Sequence, residues 1–133
     1  MADINSIKKR IAEMSQAALN MWQLTFRAFM EHDLDLFPKI FEEENKLNAM
    51  EKELTGGLIE LGRAASAGDK LKVIIYADIV GDLELIGDYC KDTLERLQIK
   101  IEEKLLFSED AVKEYSELYH KTESALEEVA SAL

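Results

Sequence analysis

The apolar residues of this 133-residue chain recur alternately three and four positions apart along almost its whole length. That spacing lines one face of an α-helix, and no segment shows the every-second-residue alternation of a strand. Four such stripes predict helices at about residues 4–31, 36–65, 70–105 and 109–133. Because short connections join antiparallel neighbours, we expect an all-α, antiparallel up-down bundle of four long helices in a single domain, 1–133.

Residues suited to capping a helix stand at each predicted start. A side-chain oxygen at that position accepts a backbone N–H that the first turn leaves without a partner. The candidates are Asp3 for the first helix, Asp33 or Asp35 for the second, Asp69 for the third and Ser108 for the fourth.

The third predicted helix has an unusual concentration of acids beside its apolar stripe. These acids are Glu84, Asp88 and Glu95 on one flank, Asp78 and Asp82 on the other, and Asp92 toward the outer face. Glu84 and Asp88 are one helical turn apart, so their like charges share a patch and mildly destabilise the helix. A cation, a basic partner or plain solvation would offset that repulsion.

The second predicted helix places Glu44 and Glu51 at positions where its stripe should be apolar, with Asn48 on the same edge. An unpaired buried carboxylate is costly and usually finds a partner. Either these groups lie at the rim of the core, or they are ligands that face the third helix. In the second case Glu84 and Asp88 are the primary cation ligands, supplemented by Glu44, Asn48, Glu51, Asp82 and Asp92. Oxygen ligands of this kind suit magnesium, calcium, manganese or iron.

The overall charge narrows the classes of partner. With 16 basic and 27 acidic residues the net charge is −11, which disfavours nucleic acid and anionic membrane surfaces. No stretch approaches the roughly 20 apolar residues that span a bilayer, so we expect no direct membrane insertion. The single Cys90 lies on the apolar stripe, which predicts a buried thiol and is consistent with a cytoplasmic location.

Signatures of catalysis are missing from the sequence. It contains neither a Gly-x-Ser-x-Gly elbow nor a phosphate-binding loop. A ferritin-type di-iron bundle needs a Glu-x-x-His motif on two helices, and only Glu117–His120 has that form. His120 is therefore expected to be an ordinary surface histidine, and the chain is predicted not to be an enzyme.

Two of the acidic segments resemble motifs of a known family. Asp82–Asp88, which reads Asp-Leu-Glu-Leu-Ile-Gly-Asp, is similar to the third-helix signature of PhoU-domain proteins, and Glu44–Glu51 is similar to their second-helix motif. The resemblance covers about residues 4–103. It implies a PhoU-like three-helix unit, here with one additional C-terminal helix, that binds iron or zinc clusters through its acidic motifs. It also implies a regulator of phosphate uptake and phosphate signalling that contacts transporter or sensor-kinase components.

The chain departs from the family in two respects. PhoU proper has two tandem three-helix repeats, and Asn48 stands where a second carboxylate would strengthen the site. A single unit with an extra helix looks like the cytoplasmic domain of a sodium–phosphate cotransporter-type protein. Two alternatives stay open: a metal-free helical adaptor or dimerisation domain, which would form a homodimer, and a carboxylate-bridged di-metal bundle protein.

Overall fold

The computed structural model describes residues 3–133 and shows four long helices. They are α1 (Ile4–Glu31), α2 (Phe37–Ala64), α3 (Ala67–Glu102) and α4 (Glu109–Ala132). A 3-10 turn, Leu34–Leu36, leads directly into α2, and no strand occurs among the described residues. The predicted all-α bundle is confirmed, and every predicted helix end lies within three residues of the observed one.

Helix α1 is the centre of the packing, because it contacts all three of the other helices. Helices α2 and α3 also pack against each other, whereas α4 packs chiefly on α1. The molecule therefore consists of a three-helix unit, α1 to α3, with α4 laid antiparallel along α1. This arrangement leaves the side of α3 that faces away from α1 and α2 open to solvent.

The buried stripes of the four helices meet in one hydrophobic core. Its most completely enclosed large side chains are Ile11, Met14, Met21, Ile40, Leu47, Val80, Leu94 and Leu97. Cys90 is fully buried, as predicted, and this burial raises the pKa of its thiol to about 11, although a hydrogen bond with Thr25 opposes the shift. The thiol is therefore protonated at neutral pH and unsuited to binding a metal.

Side-chain caps define most of the helix starts. The Asp3 carboxylate and the Ser108 hydroxyl accept backbone N–H groups at the starts of α1 and α4, as predicted. The prediction of Asp69 as the cap of the third helix is wrong. Ser66 is the cap: its hydroxyl accepts the Asp69 N–H at 3.3 Å, so α3 begins three residues earlier than predicted. Asp69 instead lies in the first turn, where the helix dipole favours an acid.

The predicted cap of the second helix serves a different element. The Asp33 carboxylate accepts the Asp35 N–H at 2.9 Å and so caps the 3-10 turn. Helix α2 follows that turn without a break, and its N-cap residue, Leu36, makes no side-chain capping bond. The 3-10 turn therefore takes the place of a side-chain cap for α2.

Candidate functional site

Helices α2 and α3 bring four carboxylates to one edge of the bundle. Glu44 and Glu51 come from α2, and Glu84 and Asp88 come from α3. We call these four residues the acidic edge. Their proximity is visible in Glu84, whose pKa is raised first by partial burial, then by Asp88, and further by the charges of Glu51 and Glu44. The predicted convergence of the two acidic motifs is thus present in the fold.

The edge follows from the spacing of the acids along each helix. Glu84 and Asp88 are four residues apart, which is about one turn, and Glu44 and Glu51 are seven apart, which is about two turns. The pair on α3 borders the buried stripe that includes Leu83, and the pair on α2 borders the buried stripe that includes Leu47. Packing the two stripes together therefore also brings the flanking acids together.

The acids of the edge differ in their exposure. Glu44 is buried, with 8% of its surface exposed, so it lies in the core stripe as its sequence position indicated. Glu51, Glu84 and Asp88 are half-buried and reach the solvent. Glu51 therefore lies at the rim of the core, as the first interpretation expected, whereas Glu44 lies inside the core boundary.

Sequence reasoning missed a cation beside the edge. The Lys91 Nζ lies 4.0 Å from Glu44 Oε1, at the limit of an ion pair. Lys91 follows Glu84 by seven residues, so it projects from the same flank of α3, and that spacing could have identified it. The ammonium offsets part of the negative charge on the α2 side of the edge.

The remaining predicted ligands stand at different places. Asn48 is half-buried on α2, four residues after Glu44. Asp82 and Asp92 are exposed on α3, and neither is among the groups that shift the pKa of Glu84. Asp82 precedes Glu84 by two residues, which is about 200° around the helix, so the fold does not bring it to the acidic edge.

The acidic edge offers oxygen donors, but they are not closed around a single point. Within residues 3–133 no three His, Cys, Asp or Glu side chains are arranged so that they could hold one metal ion together. Cys90 belongs to the core, and His120 lies on α4 with 66% of its side chain exposed. The acidic edge therefore offers carboxylate oxygens, with neither the Cys90 thiol nor the His120 imidazole beside them.

A second polar group, part-buried between α1 and α4, was not anticipated from the sequence. The Tyr119 hydroxyl donates to Glu123 Oε2 at 2.8 Å, and Gln23 Nε2 donates to the same oxygen at 3.1 Å. These two bonds, with a smaller contribution from His120, lower the pKa of Glu123. The one-turn spacing of Tyr119 and Glu123 was the available signal, but Gln23 is 100 residues away in sequence.

Aromatic stacking surrounds this group. Phe26 stacks on Tyr119 with ring centroids 3.8 Å apart, and Trp22 donates its indole N–H to the Tyr119 carbonyl at 3.2 Å. We call Trp22, Gln23, Phe26, Tyr119 and Glu123 the α1–α4 seam. Its hydrogen bonds and stacked rings join the two helices, so the seam holds α4 against α1.

The helices themselves show no membrane-spanning character. Among the described residues, none of the four combines the length and the low charge content that crossing a lipid bilayer requires.

Comparison with known proteins identifies a family for the part of the chain that contains the acidic edge. The family model described as "PhoU domain" matches residues 11–97, about two thirds of the chain. The match extends from α1 to the last turns of α3 and includes all four acids of the edge, whereas α4 lies outside it.

A curated relative supports the same assignment. The chain is 28% identical over 89 residues to the phosphate-specific transport system accessory protein PhoU homolog 1 of Thermotoga maritima. The aligned part is 67% of this chain and 38% of the relative, so the chain spans well under half of that protein. No solved structure matches the chain at a comparable level of significance. On the strength of the family match, which covers more than half of its length, the chain belongs to the PhoU domain family.

Proposed function

We propose that this protein is a regulatory module of phosphate transport or phosphate signalling that senses cations at its acidic edge, and that it is not an enzyme. The family match and the name of the Thermotoga relative, an accessory protein of a phosphate-specific transport system, support the regulatory role. The partners we propose are phosphate transporter or sensor-kinase components on the cytoplasmic side of a membrane, the location that family resemblance implies.

The observation that supports cation binding is the crowding of Glu84. Partial burial raises the pKa of Glu84, and Asp88, Glu51 and Glu44 raise it further, so the ionised carboxylate is held in an unfavourable environment. A cation that binds Glu84 and Asp88 would remove that cost, and it would join α3 to α2 if Glu51 or Glu44 bound it through water. Iron and zinc are the metals that the family resemblance implies. The all-oxygen donors favour iron, or another hard cation, over a thiolate-type zinc site.

Elemental analysis of protein purified without chelator tests this proposal. We expect bound iron or zinc in the wild-type protein and its loss from a Glu84→Gln/Asp88→Asn variant. A Glu127→Gln/Glu128→Gln variant removes the same charge from exposed positions of α4 and is the matched control. An Asp82→Asn/Asp92→Asn variant tests separately whether those two residues supplement the site. Near-zero metal in the wild type would remove the cation proposal and leave the fold unaffected.

The regulatory role needs a separate experiment. Deletion of the gene should change phosphate uptake or phosphate-dependent expression, and the wild-type gene should restore it. Complementation with the Glu84→Gln/Asp88→Asn variant then shows whether the acidic edge participates. An unchanged phosphate response in the deletion strain would refute the regulatory proposal whatever the metal content.

A metal-free helical adaptor is the second candidate, because no three ligands of the described residues converge on one point. It predicts a thermal melt that divalent cations leave unchanged. The homodimer proposed for such an adaptor is measurable by sedimentation. The carboxylate-bridged di-metal alternative is less well supported, since His120 lies near Glu123 on α4 and not at the acidic edge.

A further inference from the structure

The outer side of α3 exposes a row of large apolar side chains. The row consists of Leu71, Ile74, Ile75, Leu85 and Tyr89, which we call the outer α3 face. Leu71, Ile74 and Tyr89 have 61%, 59% and 55% of their surface exposed. At about 100° per residue all five fall within roughly a third of the helix circumference, on the side away from the buried stripe. They form two apolar patches on one side of the helix, Leu71, Ile74 and Ile75 at its start and Leu85 with Tyr89 ten residues further along.

The packing of the bundle does not account for this face. In the first turns of α3 the inward residues Val73, Tyr76 and Ile79 are only half-buried, and Val80 is the first that is fully buried. The exposed row therefore lies opposite a thin part of the core. Single apolar residues are normal on a protein surface, but two apolar patches on the same side of one helix are typical of an interaction surface.

The charge on this part of α3 has one sign. Between Val73 and Cys90 the charged residues are all acidic, with no lysine or arginine over 18 positions. Two of these acids, Asp78 and Asp82, are exposed and stand between the apolar residues of the row. The face thus presents apolar side chains interrupted by uncompensated negative charge.

A glycine borders the face between its two patches. Nothing in the described part of the chain comes within 4 Å of the position that a Cβ on Gly81 would occupy. Glycine inside a helix costs about 1 kcal/mol relative to alanine, and no packing contact within residues 3–133 accounts for that cost at Gly81. A missing side chain at this point lets a second backbone approach α3 closely.

We propose that the outer α3 face is the docking site for an amphipathic segment of a partner protein, with an apolar side that covers the row and lysine or arginine beside it. Charge complementarity selects this occupant. A second copy is disfavoured here, because two-fold pairing of this face would bring Asp78 and Asp82 against their own equivalents in chains of net charge −11. The biological meaning of the docking rests on the proposed regulatory function, but the binding itself does not.

Synthetic peptides test the surface directly. The probe is a fluorescent helical peptide of about five turns with leucines on one side and lysines on the other. One comparison peptide replaces the lysines with glutamates, and another keeps the composition but scrambles the order so that no apolar face forms. We expect fluorescence anisotropy to show binding of the first peptide alone, weakened by rising salt.

Variants of the protein locate the binding. Ile74→Ser/Leu85→Ser should weaken binding by about tenfold or more, since a few apolar contacts dominate such interfaces. Asp78→Asn/Asp82→Asn should also weaken it, whereas Glu127→Gln/Glu128→Gln, an equal charge change on α4, should have little effect. Gly81→Gln should block close approach, and Gly56→Gln, at an equally open glycine of α2, should not. Circular dichroism confirms that each variant folds.

Three results would overturn the proposal. The first is equal binding of the ordered and scrambled peptides, which would indicate general attraction to an acidic protein. The second is undiminished binding to the Ile74→Ser/Leu85→Ser variant. The third is a dimer in sedimentation that this variant dissociates, which would make a second copy the occupant. Peptide binding with no phosphate phenotype would refute the proposed regulation and leave the docking surface standing, so the two failures are distinguishable.

Discussion

The acidic edge and the α1–α4 seam each hold a glutamate at the border of the core, yet the pKa values of these two glutamates are shifted in opposite directions. The pKa of Glu84 is raised, because partial burial and the carboxylates of Asp88, Glu51 and Glu44 disfavour its charge. The pKa of Glu123 is lowered, because Tyr119 and Gln23 donate hydrogen bonds to it. The neighbours of a carboxylate, more than its position on a helix, therefore decide whether its charge stabilises the fold.

The two sites differ in whether the protein itself compensates the charge of the glutamate. In the α1–α4 seam the donors come from the protein itself, so the charge of Glu123 is already compensated. At the acidic edge the nearest protein cation is Lys91, 4.0 Å from Glu44. We therefore expect an added cation to bind at the acidic edge in preference to the seam. The predictions below test that difference.

The largest effect is expected from removing the aromatic ring of the seam. Tyr119 is 5% exposed and stacks on Phe26, so Tyr119→Ala removes a buried ring, its stacking and the main donor to Glu123. We expect a loss of about 3 kcal/mol in the free energy of unfolding, measured by denaturant titration with Trp22 fluorescence as the probe.

Tyr89→Ala is the matched control, because that tyrosine is 55% exposed on α3. Its effect should stay within about 0.5 kcal/mol, as for other surface substitutions. If Tyr119→Ala and Tyr89→Ala lower the free energy of unfolding equally, the seam does not hold α4 in place as the stacking indicates.

The next effect concerns the charge of Glu123. Glu123→Gln keeps the shape but weakens the bonds from Tyr119 and Gln23, so we expect a loss of about 1 kcal/mol at neutral pH. Because the folded pKa is below the ordinary 4.5, the stability from this charge is present above pH 4.5 and is lost as pH falls through the folded pKa. Thermal melts of variant and wild type should therefore converge in acid, and a constant difference down to the lowest pH would contradict this account.

Glu84→Gln should have the opposite effect on stability from Glu123→Gln. The folded pKa of Glu84 lies above 4.5, so its ionisation destabilises the fold at neutral pH, and this penalty disappears as pH falls through the folded pKa toward 4.5. Without added metal we expect the variant to be more stable than the wild type by about 0.5 kcal/mol at pH 7 and equally stable in acid.

The control for this prediction is Glu95→Gln, which removes an exposed glutamate of the same helix. Its effect at pH 7 should be smaller than that of Glu84→Gln. Added iron or zinc should reverse the order of wild type and the Glu84→Gln variant, since only the wild type keeps the full acidic edge. A Glu84→Gln variant that is less stable than the wild type in the absence of metal would show that the crowding is not costly.

The sequence was sufficient for the bundle and for the acidic edge because both depend on helical periodicity. A regular three-and-four spacing determines which residues share a face, so the core stripe and the flanking pair Glu84 and Asp88 follow from one-dimensional distances. The start of α3 was misplaced because Ser66 and Asp69 are both good capping residues, and sequence alone did not decide between them.

Contacts between distant parts of the chain could not be predicted from the sequence. Glu123 was not singled out from the sequence, because only the packing of α4 on α1 brings Gln23 to it. The spacing from Glu84 places Lys91 on the same flank of α3, but the contact of Lys91 with Glu44 depends on the register of α2 against α3. Side-chain partners across helices are set by the register of packing, which the periodicity of a single helix does not encode.

The smallest effect is expected from that missed lysine. The Lys91 Nζ is 4.0 Å from Glu44 Oε1 and the lysine side chain is 44% exposed, so water screens much of the attraction. We expect Lys91→Gln to cost about 0.3 kcal/mol at low salt and nothing measurable at high salt. Because Lys91→Gln also removes the protein's own cation from beside the acidic edge, it should strengthen binding of an added divalent cation, measured by titration calorimetry. If Lys91→Gln instead weakens that binding, the lysine positions Glu44 for the cation and does not compete with it.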